Sequence, residues 1–169
     1  WLQMDKIGHA KTAYTICDVS YIVFRWSKLS QRKALLASSL VSFGFLSTIE
    51  LFDGVSAGWG FSTGDMLANL TGIGLYASQQ VFWKEQRVNL KYSYHNTSFA
   101  VERPSVLGSN ALERPLKDYN GQTYWLSVNP YSFAKSTVFP KWLNIAFGYG
   151  GEGMLTGTAG EEHLHTPPL

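Results

Sequence analysis

Glu50-Leu51-Phe52-Asp53, then Gly58-Trp59-Gly60-Phe61-Ser62-Thr63-Gly64-Asp65, running on to Asn69 and Gly72, is the stretch whose reading decides the fold. It lies between two apolar helical patterns and gathers Glu50, Asp53, Asp65 and Asn69 where little else is charged. Charge in such a place is costly unless it is paired, hydrogen-bonded or used. Gly54, Gly58, Gly60 and Gly64 interrupt the helical periodicity and mark a loop. Ser62 with Asp65 three residues on resembles a capping box, with Asp in place of the usual Glu, and predicts a helix from residue 63 to about 85.

Upstream, apolar and small residues recur at helical spacing from residue 5 to about 29: Ala10, Tyr14, Cys17, Tyr21 and Phe24. Asp5 suits an N-cap, and Arg25 and Lys28 suit the last turn. Ser30 reads as the cap of a second helix, residues 31 to about 52. Within it, residues 34–49 carry no charge. Sixteen uncharged residues fall short of the ~20 that cross a bilayer upright, so a buried core helix is expected rather than a spanning one, with a tilted or half-inserted helix the alternative. In the third helix, Ala68, Gly72 and Ala77 are small enough to let a neighbour approach closely. Gly72 and Gly74 each lower helix propensity by ~1 kcal/mol, which close packing would offset.

Past Arg87 the period changes. Val88-Asn89-Leu90-Lys91-Tyr92-Ser93-Tyr94 alternates and predicts a strand, and Thr123-Tyr124-Trp125-Leu126-Ser127-Val128 predicts a second. Residues 95–122, with Pro104 and Pro115, read as a loop-rich connection. Pro140-Lys141-Trp142-Leu143-Asn144-Ile145-Ala146-Phe147 reads as a short helix with Pro in its first turn, closed by a glycine-rich turn over residues 148–153. The expected fold is therefore mainly α. An antiparallel three-helix bundle (residues 1–87) is followed by a loop-rich aromatic extension (88–169) with one or two short strands and a short helix, packing on the bundle or on a partner.

Composition sets the outer limits. In 169 residues, 45% are apolar and only 15% charged, against about a quarter in an average domain. Six Trp, nine Tyr and ten Phe suit a surface that is apolar on one side and wet on the other. A net charge of +2 with no basic stripe argues against nucleic acid, and no phosphate-cradling glycine motif points to a nucleotide. Cys17 is the single cysteine, which excludes a disulfide framework.

Short connections make sequential helices antiparallel neighbours. The start of helix one, the end of helix two and the start of helix three then share one end of the bundle. Asp5, Lys6, His9, Glu50, Asp53, Asp65 and Asn69 all fall there, a polar cap drawn from three helices. Its bland reading is structural: caps, a Glu50–Lys6 bridge and satisfied loop carbonyls. Its functional reading makes His9, Glu50 and Asp65 the catalytic or metal-ligating candidates, nitrogen and oxygen donors suited to zinc or another divalent ion. No cofactor is required by either. Tyr124, Trp125, Tyr131, Phe133, Phe139 and Trp142 read as exposed aromatic candidates for binding a partner.

The order Asp5-Lys6-x-x-His9, Glu50-x-x-Asp53 and Gly58-Trp59-Gly60-Phe61-Ser62-x-x-Asp65-x-x-x-Asn69-x-x-Gly72 resembles the YfiM-like predicted periplasmic lipoproteins, and more distantly the membrane-embedded VanZ-like proteins. The second half, through Lys117-Asp118-Tyr119-Asn120-Gly121 and Pro140-Lys141-Trp142, is similar to longer flavobacterial members. The resemblance implies a periplasm-facing location at the outer membrane, with a lipid anchor upstream of Trp1. Separately, the end of the sequence, residues 160–169, closes on no element and is expected to be truncated. It implies no reaction. The expected function is a non-enzymatic envelope component that contacts an outer-membrane protein or the inner-leaflet surface. An enzyme acting on an envelope lipid or glycan through the polar cap is the alternative.

Overall fold

The computed structural model describes residues 3–56, 60–134 and 139–154. Three long helices come first: α1 (Met4–Trp26), α2 (Gln31–Val55) and α3 (Thr63–Phe82). Then follow β1 (Val88–Tyr94), the short helices α4 (Phe99–Glu102), α5 (Pro104–Leu107) and α6 (Arg114–Lys117), β2 (Gln122–Val128), α7 (Pro130–Ala134) and β3 (Ile145–Gly150). The strands form one antiparallel sheet in the order β1-β2-β3. The chain divides into two compact units, Asp5–Leu90 with Leu126–Ala146, and Lys91–Trp125 with Trp1–Met4 and Phe147–Leu169. The mainly α fold with its helical bundle is as the periodicity predicts.

Local chemistry explains the helix ends. Ser62 caps α3 by accepting from the Asp65 N–H at 3.2 Å, the half of a capping box that the spacing implies. Ser30 stands at the N-cap of α2 but makes no side-chain cap bond. Lys28, just past α1, turns through φ 65°, and the Leu29 N–H reaches back to the Phe24 carbonyl at 3.1 Å, so a left-handed residue ends the helix without glycine. Lys84, at φ 59°, does the same for α3, which stops at Phe82 rather than near residue 85.

The helices meet through small residues. Ala13, Tyr14 and Cys17 of α1, Leu46 of α2 and Ile73 and Tyr76 of α3 make the buried core. The Ser42 hydroxyl donates to the Ala13 carbonyl at 2.9 Å, and the Cys17 thiol lies 3.7 Å from the Ser38 carbonyl. Gly72 lies against the α1 backbone at Ala10, so that a Cβ there would run into the Ala10 carbonyl and sit 3.0 Å from Ala13 Cβ.

At the far end of α3, Gln79 ties the bundle to β1. Its amide donates to Gln86 Oε1 at 2.8 Å and to the Val88 carbonyl at 2.9 Å, while its carbonyl accepts the Arg87 and Val88 N–H groups. Tyr14 donates to Gln86 from α1 at 3.0 Å. A buried amide with this many partners is fully satisfied, so it fixes geometry rather than offering a site.

The other unit is built on Asp118, which is fully buried. Its carboxylate accepts from Thr97 Oγ1 at 2.6 Å and from the Asn120 N–H and side-chain amide at 3.2 and 3.0 Å. Asn120 in turn clamps the Met154 backbone. Residues 95–122, expected as loop, are thus pinned by α4, α5, α6 and a 3₁₀ turn at Tyr119–Gly121.

Three expectations are corrected. The Pro140 segment is not a helix: one turn closes with Leu143 N–H on the Pro140 carbonyl at 3.1 Å, and the chain then extends into β3. From Ile145 the chain instead pairs with β2 in the sheet, and Gly148 lies against the Trp125 ring, where a Cβ would come within 2.6 Å of it. The glycine-rich turn accordingly begins only after Gly150. Tyr124 is not exposed but buried at 9%, its hydroxyl donating to Gln122 at 2.7 Å, because alternation along β2 turns it inward.

The third correction matters most. α2 is not a buried core helix. Its buried stripe is Ala34, Ser38, Ser42, Leu46 and Glu50, spaced every fourth residue and mostly small or polar. Leu36, Leu40, Phe45, Leu51 and Phe52 are each 56 to 68% exposed. The sequence shows an uncharged run without revealing that Ser38 and Ser42 face inward while Leu36, Leu40 and Phe45 face outward.

Candidate functional site: a polar cap on three helices

The polar residues of the three helix ends converge within the helical unit. His9, one turn into α1, is the hub. Its Nδ1 lies 3.1 Å from Asn69 Oδ1 of α3 and 3.5 Å from Glu50 Oε1 of α2. Its Nε2 faces Asp5 Oδ1 at 3.7 Å, one turn back on its own helix. Helical i, i+4 spacing brings Asp5 under His9; the tight α1–α3 approach at Gly72 brings Asn69 to the ring.

Lys6 forms a second centre. Its ammonium ion-pairs with Asp65, lies 3.2 Å from Asp5 Oδ2 and donates to Ser62 Oγ at 3.3 Å. Its stem passes Gly64, where a Cβ would stand 3.0 Å from Lys6 Cε. Burial works against the Asp65 carboxylate, but the bonds from Lys6 and Ser62 and the nearby His9 outweigh it and hold its pKa below the usual value. For Lys6, burial again opposes the charge, and Asp65 and Asp5 together raise its pKa.

Burial grades the cluster from inside out. Glu50 and Asn69 are each 1% exposed, Asp65 7%, and the side chains of His9, Lys6 and Asp5 are 20, 33 and 48% exposed. Glu50 Oε2 accepts the Ser62 N–H at 3.4 Å, while Glu50 Oε1 and Asn69 Nδ2 have no hydrogen bond among the described residues. The predicted Glu50–Lys6 bridge does not form: Lys6 turns to Asp65, and Glu50 to His9. Asp53 stays at the margin, half-buried, with its backbone carbonyl receiving Ser56 N–H. Asp5, His9 and Asp65 each offer a ligand atom within 4.8 Å of the others; Glu50 stands behind His9 instead of beside them. Ser62, which capping alone explains in the sequence, also belongs to this cluster through Lys6.

Residues 2–80 match the family described as predicted periplasmic lipoprotein (DUF2279). Over that span, just under half of the chain, the chain is similar to that family. The whole cap, from Asp5 to Asn69, and Gly72 fall inside the matched segment, and residues 81–169 lie outside it. The match supports a cell-envelope protein with a periplasmic location. A VanZ-like match is not found. No curated protein and no solved structure matches the chain.

The aromatic candidates divide by exposure. Trp142 is 77% exposed, Phe133 47% and Phe139 36%. Trp125 and Tyr131 are half-buried, Trp125 donating to Ser93 Oγ at 2.9 Å. Phe133 stacks edge-on against Trp83, 5.3 Å between ring centroids, with the Arg87 guanidinium 4.9 Å from the Trp83 ring. Much of the aromatic second half is therefore occupied by its own packing.

Proposed function

We propose that this chain is a non-enzymatic envelope component whose helical unit seats its apolar outer surface in lipid, at the periplasmic leaflet of the outer membrane. The observation that carries the reading is the inversion of α2, with small and polar residues inward and Leu and Phe outward. Water-facing helices bury their apolar stripe. Of the most apolar eighteen-residue window of α2, only 22% is buried, so that window is no soluble core helix. At 25 residues it is about 37 Å long, so its outer face offers a long apolar surface to the leaflet.

The interior supports the same reading. Helices in lipid associate through small residues and side-chain hydrogen bonds, since lipid is as apolar as leucine. Gly72, Ala13, Cys17, Ser38 and Ser42 are that kind of interface. α1 joins the pattern, with Val19, Ile22 and Val23 more than half exposed while Asp18 lies beside the Tyr76 hydroxyl in the core. Charges within apolar helices turn inward in this way. A lipid anchor of the kind the family description names would hold the unit at the leaflet.

The full chain mixed with phosphatidylethanolamine/phosphatidylglycerol vesicles should float with them and resist carbonate. Leu40→Lys/Phe45→Lys, on the outer face, should abolish flotation with helicity unchanged. A chain that stays a monodisperse monomer without detergent or vesicles overturns the reading, as does retention only in the presence of another envelope protein.

A further inference from the structure

We infer that the hairpin joining α1 to α2 is a docking surface for anionic phospholipid headgroups, with Arg32 and Lys33 among its phosphate contacts. The inference rests on the reading that the outer face of α2 sits in lipid. It adds which lipid the helical unit selects and which end of it meets the headgroups.

The first observation is where the two outward apolar stripes stop. On α1, Val19, Ile22, Val23 and Trp26 are all exposed, at the i, i+3, i+4, i+7 spacing of a single helix face. That stripe ends in an indole that is 85% exposed. On α2, Arg32, Leu36 and Leu40 follow one another at i, i+4 and are exposed, so this stripe begins on a guanidinium. Both stripes therefore close on the same connection. Indoles settle at the membrane–water boundary, and long cationic side chains lay their stems on apolar surface while the charge reaches the headgroups.

Charge at this connection is of one sign. Arg25, Lys28, Arg32 and Lys33 are all exposed, and residues 19–49 contain no Asp or Glu. Arg25 donates to the Leu29 carbonyl at 2.5 Å, and none of the four meets a carboxylate among the described residues. The nearest acids are engaged elsewhere. Asp18 lies beside the Tyr76 hydroxyl, Glu50 faces His9 in the polar cap, and Glu85, past the end of α3, holds Arg87 at 2.8 Å.

Folding does not account for half of this charge. Arg25 and Lys28 stand at the C-terminal end of α1, where cations are favoured, but Arg32 and Lys33 open α2, which has no acidic residue in its first turn. A cation at a helix start opposes the helix dipole and weakens the helix. A partner of opposite charge offsets that cost, and the leaflet that receives the apolar stripes supplies one in its phosphodiesters.

The test is sedimentation of the full chain with vesicles of phosphatidylcholine alone, or of phosphatidylcholine with about 30% phosphatidylglycerol, in which each nearby Lys or Arg multiplies partitioning by about five. Partitioning should be about a hundredfold stronger on the anionic vesicles, and this preference should shrink as sodium chloride rises from about 0.1 to about 0.5 M. Arg32→Gln/Lys33→Gln, on exposed side chains and with helicity read by circular dichroism, should lower the anionic value roughly twentyfold and leave the neutral value unchanged. Lys91→Gln/Lys117→Gln, which removes the same charge from the other unit, should leave the preference in place. Equal partitioning into both vesicles overturns this inference while the leaflet reading stands; binding to neither overturns both. An equal loss in Lys91→Gln/Lys117→Gln would make the preference an effect of net charge and overturn its assignment to the hairpin.

Discussion

Gly72→Ala should unfold the helical unit at a temperature roughly 10 °C below the parent, while Gly74→Ala, two residues away, should raise it. At Gly72 an added Cβ meets the Ala10 carbonyl and sits 3.0 Å from Ala13 Cβ. Both neighbours belong to the α1 backbone or its first side-chain atom, so neither can swing aside. The helices must separate, and overpacking of this kind costs about 3 kcal/mol or more. For a chain of this size each kcal/mol moves the midpoint by about 2–4 °C. At Gly74 nothing lies within 4 Å, so only helix propensity acts and the gain is up to ~1 kcal/mol. Thermal unfolding by circular dichroism reads both. Equal effects at the two positions would mean that α1 and α3 do not meet at Gly72.

Asn69→Asp is the second large effect. The two side chains are nearly isosteric, so the substitution changes charge and little else. It would place a carboxylate where Asn69 Oδ1 now lies, 3.1 Å from His9 Nδ1, with Glu50 Oε1 3.5 Å from the same nitrogen. Two buried carboxylates would then share one N–H. Losing the Asn69 Nδ2 donor, which has no acceptor among the described residues, offsets some of this, by about 1 kcal/mol. The uncompensated buried charge costs more, about 3 kcal/mol, and should win. Adding Glu50→Gln restores the charge count and should recover most of the loss. A denaturant-melt cycle of the two single variants and the double variant measures it; additivity within about 0.5 kcal/mol would show that Glu50 and residue 69 do not share the imidazole.

Much of this architecture was legible in the sequence, and the parts that were not share a cause. Helix starts announce themselves locally: Ser62 and Asp65 specify the α3 cap in four residues, and alternation from Val88 to Tyr94 specifies β1. The cap was legible because antiparallel helices with short loops must bring residues 5–9, 50 and 65–69 to one end. Which acid meets which base was not, since Lys6 reaches Asp65 and not Glu50 by side-chain length and direction. β3 was hidden because Pro140 marks a turn as readily as a helix, and the packing of Gly148 on Trp125 is a long-range fact. Tyr124 and Trp125 are adjacent and aromatic, yet pleating sends them to opposite faces. The inversion of α2 was hidden most deeply. Periodicity counts apolar residues, and in this helix the informative period belongs to Ala34, Ser38, Ser42 and Glu50.

That inversion is the central claim, and spin labelling tests it most directly. A nitroxide on a cysteine placed at Leu36, Leu40 or Phe45 reports the medium at the outer face of α2, since the native Cys17 is buried and unreactive to the label. In full chain bound to vesicles, power saturation should show strong relaxation by molecular oxygen, which concentrates in hydrocarbon, and weak relaxation by a water-soluble nickel chelate at all three positions. Strong relaxation by the nickel chelate at Leu40 and Phe45 would place that face in water and contradict the account.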